Sequence, residues 1–146
     1  MAFTAKILIC NVVTAPKTDT VRQAASTMKT AGIGSIVVVE KDKPVGMFSE
    51  RDLLGRVVVP GLDPAKTLLE TVMTPNPVCL DCSEPLEKVF SILAEGRFRH
   101  LPITDGGSVV GIVSIHDLAK MLSQVLRKEE HVEYFADYIQ RSSAAA

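Results

Sequence analysis

Two short stretches hold the residue types from which a polar binding site can be built. Ser49-Glu50-Arg51-Asp52 and Ser114-Ile115-His116-Asp117 each set a hydroxyl three residues ahead of a carboxylate, and each follows an apolar run containing a glycine, Gly46 or Gly111. A carboxylate accepts hydrogen bonds from both members of a pair of neighbouring sugar hydroxyls. A serine at the opening of a helix lies where free backbone N–H groups and the helix dipole favour a phosphate. The same spacing serves a plainer purpose, since Ser-x-x-Asp also caps a helix. Capping explains one such stretch well and explains two, with Gly at the same offset, less well. A third group, Arg97, Arg99 and His100, is basic; arginine offers forked donors to phosphate, and a solvated face is the alternative.

The two Ser-x-x-Asp stretches are copies. Val45-Gly46-Met47-Phe48-Ser49-Glu50-Arg51-Asp52-Leu53 falls on Val110-Gly111-Ile112-Val113-Ser114-Ile115-His116-Asp117-Leu118 when the chain is shifted by 65 positions. The same shift pairs Val21, Ala24, Ala25 and Met28 with Leu86, Val89, Phe90 and Leu93, and Ile36-Val37-Val38 with Leu101-Pro102-Ile103. One offset without a gap marks an internal duplication.

Each copy reads as the same series of elements. The sets at 21, 24, 25, 28 and at 86, 89, 90, 93 have the i, i+3, i+4, i+7 spacing of an amphipathic helix. Thr18-Asp19-Thr20 and Ser83-Glu84-Pro85 supply capping side chains, first-turn acids and a proline tolerated in a first turn. Apolar runs at 35–39 and 45–48, and at 101–104 and 109–113, predict two hairpins, with Lys41-Asp42-Lys43-Pro44 and Asp105-Gly106-Gly107-Ser108 as turns. Second helices follow at 50–58 and from 115 to about 128, and short extended pieces at 10–14 and 77–80 precede the first helices. Residues 65–73 predict a connecting helix ended by Thr74-Pro75-Asn76-Pro77. The expected division is repeat one over 10–60, a linker with a short helix over 61–74, repeat two over 75–123, and a C-terminal helix and tail over 124–146. The closing Ser142-Ser143-Ala144-Ala145-Ala146 reads as a frayed tail.

Composition narrows the function classes. The chain has 146 residues, 47% hydrophobic and 23% charged, which suits a packed core. Sixteen Lys and Arg against seventeen Asp and Glu leave a net charge of -1, so no broad basic field exists for nucleic acid or an anionic membrane. Charges or prolines interrupt every apolar run before membrane-spanning length. An odd count of cysteines, Cys10, Cys79 and Cys82, argues against a secreted disulfide framework, and the beginning reads as that of a cytoplasmic protein. Cys79-Leu80-Asp81-Cys82 has the spacing of a redox pair or half a zinc site. It lies ahead of a helix start rather than on it, and no second metal-ligand pair accompanies it, so no metal is expected. No catalytic motif is present, and the chain reads as a non-enzyme.

The paired motifs Gly46 to Leu53 and Gly111 to Leu118, with Arg99-His100-Leu101-Pro102-Ile103 and Val72-Met73-Thr74-Pro75, resemble the CBS (cystathionine β-synthase) domain family over roughly residues 10 to 123. The resemblance implies an α+β fold: two β-α-β-β-α repeats packed face to face with pseudo-twofold symmetry, plus a C-terminal helix. It implies a regulatory module that binds an adenosine-containing ligand (AMP, ADP, ATP, NAD or S-adenosylmethionine) between the repeats, needs no other cofactor, and pairs as a homodimer. A regulated protein in trans would then read its state. Asp52 and Asp117 would take the ribose, with Ser49 and Ser114 beside them. One expected site combines Val13, Ile33, Gly34 and Ser35 with Ile112, Ser114, Asp117, Arg99 and His100. The other combines Asp52, Ser49 and Met47 with Val78 and Phe98, facing Arg99 and His100. Arg97, Arg51 and His116 are further phosphate candidates. The contrasting expectation is a dimerisation or docking module whose clefts are vestigial and empty.

Overall fold

In a computed structural model, residues 3–127 and 129–144 are described, and the chain is mixed α+β with two sheets and six α-helices among them. It falls into two compact units, Met1–Ile112 and Val113–Ala146.

Within the first unit, β1 (Thr14–Pro16), β2 (Ser35–Glu40), β3 (Lys43–Ser49) and β4 (Thr74–Pro75) form one sheet in that order. The β1–β2 pair is parallel and the other two are antiparallel. Helix α1 (Val21–Ala31) crosses between β1 and β2. Thr20, not Thr18 or Asp19, is its cap: its hydroxyl accepts from Gln23 N–H while Gln23 Oε1 accepts from Thr20 N–H. The hairpin turn between β2 and β3 holds Lys41 and Asp42 at positive φ, the conformation a two-residue turn needs to match strand twist. One buried cluster joins Val21, Ala24 and Met28 of α1 to Ile36, Val38 and Phe48 of the sheet and to Leu69 and Val72 of α3 (Leu69–Val72). Full burial of side chains such as Phe48 and Leu69 stabilises by about 1.5–3 kcal/mol each.

The second sheet orders β5 (Leu80–Asp81), β6 (His100–Asp105) and β7 (Ser108–Ser114), with α4 (Leu86–Ala94) between β5 and β6. Ser83 does not cap α4; both its N–H and its hydroxyl donate to Asp81 Oδ1, at 2.9 and 2.6 Å, which holds the Asp81 carboxyl below its ordinary range. Helix α5 (Ile115–Val125) and helix α6 (Glu129–Ala144) belong to the second unit.

Several sequence expectations need correction. The extended pieces sit later than 10–14 and 77–80, at Thr14–Pro16 and Leu80–Asp81, because pairing with β2 and β6 fixes them. The connecting helix is one turn, Leu69–Val72, rather than 65–73. Thr74 and Pro75 do not merely break it; they pair with Met47 and Gly46 as a fourth strand. The second helix of repeat one is α-helical only over α2 (Glu50–Asp52) and then widens into a π-helical stretch, Leu53–Val58. The 124–140 region is the end of α5 and then α6, which carries Ser142 to Ala144 in helix rather than in a frayed tail; Ala145 and Ala146 lie outside the described residues.

The largest departure is at the N-terminus. A 3₁₀ turn, Ala5–Leu8, sits ahead of the expected start of repeat one, and residues 3–10 join repeat two. Ala5 N–H donates to Glu84 O at 2.8 Å, Leu86 N–H to Phe3 O at 2.9 Å, and Cys10 N–H to Val110 O at 2.9 Å. Residues 67–76 join repeat one in the same manner: Leu69 N–H donates to Asp19 O, Val21 N–H to Thr67 O, and Asn76 N–H to Val45 O. Each repeat is thus completed by the segment that precedes the other repeat in the chain.

The thiols fit the fold rather than a reactive centre. Cys82 is buried and Cys79 half-buried, and burial pushes both thiols above their ordinary 9.0, opposite to the depression a redox cysteine needs. Cys10 is exposed.

Two measurements check this architecture. A Cβ at Gly111 would stand 2.4 Å from the Leu8 carbonyl oxygen, fixed backbone, whereas at Gly46 it would meet the flexible Met73 thioether at 2.3 Å. Gly111→Ala should cost about 1–3 kcal/mol in chemical denaturation and speed exchange of the Ala5 and Cys10 amides, and Gly46→Ala should cost less. In thiol labelling at neutral pH, Cys10 should react first. Cys79 should lag, and its rate should go on climbing past pH 9.0, where an unshifted thiol levels off, since a raised pKa lowers the thiolate fraction at every pH below it.

Candidate functional site

The end of β3 carries the site. Ser49 is extended, with φ -124° and ψ 168°, and caps the helix that follows. Its hydroxyl accepts from Asp52 N–H at 3.2 Å, while Asp52 Oδ2 accepts from Ser49 N–H at 2.9 Å and from the Ser49 hydroxyl at 3.0 Å. One carboxylate oxygen is therefore committed to the chain and fixes the plane of the group. The other, Oδ1, lies 3.5 Å from the Thr74 hydroxyl and 3.5 Å from Arg56 Nε. In the second unit the same reciprocal box forms at the start of α5, with Asp117 Oδ2 accepting from Ser114 N–H and hydroxyl at 2.8 Å each. Both pairs therefore cap helices, and the capping also aims the carboxylates.

A cavity of about 560 Å³ opens beside Asp52, a size that suits a small ligand. Met47, Pro77, Val78 and Phe98 supply apolar wall, and Gly34 and Ser35 a wall with little side chain. Ser49, Glu50 and Asp52 lie along one part of the lining, Thr74 and Asn76 along another, and Arg51, Arg97, Arg99 and His100 complete it. Arg51, Arg97 and Arg99 have no hydrogen bond or ion pair with any described residue. Three guanidinium groups against the carboxylates of Glu50 and Asp52 give a concave surface with a positive excess, which draws anions. The Ser35 hydroxyl, in a buried residue on this wall, has no hydrogen-bond partner among the described residues. Glu50 N–H donates to Gly34 O at 3.0 Å, and a Cβ on Gly34 would stand 3.3 Å from Glu50 Oε2, so glycine lets the two segments meet.

The sequence grouping is redrawn in one respect. Met47, Ser49, Asp52, Val78 and Phe98 line one cavity, and Arg99 and His100 line it too. Gly34 and Ser35, which the sequence places in the opposite site with Asp117, also line the Asp52 cavity, because the register Ser35 to Ser49 sets them beside the end of β3. Arg51 and Arg97 are on its lining. Val13, Ile33 and Ile112 are not. Ser114, His116 and Asp117 belong to the second unit, where His116 is exposed in the first turn of α5. Sequence reading missed Glu50, Thr74, Asn76 and Pro77 as wall residues, and Arg56 as a neighbour of Asp52. The Thr74-Pro75-Asn76-Pro77 run reads locally as a helix stop, and only its pairing with β3 brings it to the cavity. No group of three or more His, Cys, Asp or Glu side chains among the described residues is arranged to hold a metal ion. No helix among them is long and apolar enough to cross a membrane.

Comparison with known proteins agrees with this architecture. The family model described as CBS domain matches twice, over residues 5–59 and 69–124. The chain is 42% identical over 99 residues to the CBS domain-containing protein CBSCBSPB1 of Arabidopsis thaliana, covering 67% of this chain but only 18% of the plant protein. It is 36% identical over 108 residues to the CBS domain-containing protein YhcV of Bacillus subtilis, covering 74% of this chain and 76% of that one. Among solved structures, a CBS domain protein from Pyrobaculum aerophilum, complexed with AMP, superimposes with a TM-score of 0.70 at 26% identity, over 80% of this chain and 90% of the other. With two matched domains, two sheets and the duplicated strand-to-helix boxes, the chain belongs to the CBS domain family as a tandem pair.

Proposed function

We propose that this chain is a non-catalytic regulatory module that binds an adenosine-containing ligand in the cavity beside Asp52. The observation that carries the reading is the meeting, in one cavity, of an aimed carboxylate with three guanidinium groups that have no partner among the described residues. Asp52 would accept from the ribose hydroxyls, with Ser49 holding it in place. Arg97, Arg99, Arg51 and His100 would face the phosphate. Met47, Val78 and Phe98 would wall the base, with Gly34 and Ser35 leaving room for it. The Pyrobaculum aerophilum protein, complexed with AMP, supports the choice of AMP as first probe.

Regulation would follow from unequal affinity for two arrangements of the chain, since equal affinity shifts nothing. Exposed Leu54, Val58, Val59 and Leu62, together with Met121 and Leu122 on α5, support pairing as a homodimer. A protein in trans would read the change. Three free cysteines fit a reducing, cytoplasmic setting. A second reading, a dimerisation module with vestigial clefts, draws on the fact that both Asp52 and Asp117 already have a structural task as caps.

Thermal unfolding and calorimetry with AMP, ADP, ATP, NAD and S-adenosylmethionine separate the two. A ligand at 100 times its Kd should add about 2.7 kcal/mol to stability. Asp52→Ala should abolish binding by calorimetry. Arg99→Ala should weaken AMP about 10-fold or more while leaving adenosine nearly unchanged, because only the charged hydrogen bond is lost. Silence from every member of the panel would favour the vestigial reading.

A further inference from the structure

The carboxylate that faces the cavity is also tied to a part of the chain behind it. Asp52 Oδ1 lies 3.5 Å from Arg56 Nε, and Arg56 passes on through its fork: one terminal nitrogen donates to Val72 O at 3.1 Å and to Met73 O at 2.8 Å. Those carbonyls end α3, where a helix leaves acceptors without partners. Met73 and Thr74 then run against Gly46, with Thr74 paired to Met47 and its hydroxyl 3.5 Å from Asp52 Oδ1. From the cavity wall to the connecting segment the contacts are continuous.

Capping does not call for any of this. Ser49 engages Oδ2 alone, and in the second unit Asp117 makes the same box with Met121 at the position matching Arg56. The tie also coincides with the π-helical stretch Leu53–Val58, in which Val59 N–H reaches back to Leu54 O; α5 stays regular. Such widened turns recur at functional sites.

We infer that Arg56 is a positioning residue that couples Asp52 to the connecting segment Val72–Thr74, so that a vicinal diol held by Asp52 tightens the end of α3. The inference rests on the diol-binding reading of Asp52 for its ligand arm and on the contacts alone for the rest. A diol on the carboxylate fixes Oδ1, Oδ1 fixes the guanidinium, and the guanidinium fixes the carbonyls of Val72 and Met73. Arginine is needed because its planar fork serves a carboxylate at Nε and carbonyls at its tip together, which a lysine cannot do.

Amide hydrogen exchange at Thr71–Met73, which line no part of the cavity, tests the coupling in the full chain. Without ligand, Asp52→Asn and Arg56→Met should each speed exchange there several-fold, and the double variant should add little to the larger single effect. A guanidinium that merely caps α3 would leave exchange unmoved in Asp52→Asn, or give additive effects, and either result overturns the inference. With AMP as probe, exchange at Thr71–Met73 should slow several-fold in the natural sequence and stay unchanged in Arg56→Met at AMP concentrations that calorimetry shows to be saturating. Undiminished slowing in Arg56→Met also overturns it. If AMP binds neither protein, the nucleotide reading fails by itself, and the ligand-free cycle alone decides the coupling.

Discussion

The structure depends on two close backbone approaches, each at a glycine in the last strand of a repeat. At Gly111 the Leu8 carbonyl occupies the space of a side chain, and at Gly46 the Met73 side chain and the Thr74 carbonyl do so. Through these gaps residues 3–10 complete the second repeat and residues 67–76 complete the first. A repeat of this size has only a marginal core of its own, and the borrowed segment adds buried apolar residues to it. Leu69 and Val72 are buried in the core of repeat one although they lie in the chain that leads to repeat two.

The same exchange builds the cavity. Thr74, Asn76, Pro77 and Val78 reach the wall because the segment that ends α3 must cross β3 at Gly46 and Met47. Beside Thr74 stands the Ser49–Asp52 box, whose geometry is local to the start of a helix. A local device and a long-range one thus meet at a single carboxylate. Arg56 lies at the junction, donating to the segment that the exchange delivers and flanking the group that the cap aims.

The duplication made much of this legible. Identical spacing of Gly, Ser and Asp at 46, 49, 52 and 111, 114, 117 identified the strand-to-helix corners, and the apolar stripes from Val21 and Leu86 identified the first helices. Where reading failed, the residues obey a partner far away in sequence. Thr74-Pro75 carries a helix-stop signal and becomes a strand because β3 offers an unpaired edge. Residues 5–8 carry no periodicity and are placed by Glu84, whose carbonyl accepts from Ala5 N–H, and by the close approach of Leu8 O to Gly111. Gly34 and Ser35 follow Ser49 through strand register, a quantity that composition does not express.

By itself, then, the sequence determined that two like halves exist, that each holds a helix, a hairpin and a capped corner, and that the corners carry carboxylates beside serines. Those properties arise from spacing over a few residues: side-chain period, turn chemistry and capping all act within one or two turns of chain. Only the tertiary structure decided which half each flanking segment completes, which residues share a cavity with Asp52, and that Arg56 stands behind it. These are set by which backbone can approach which glycine, and such approaches bring together residues tens of positions apart, where no local preference reaches.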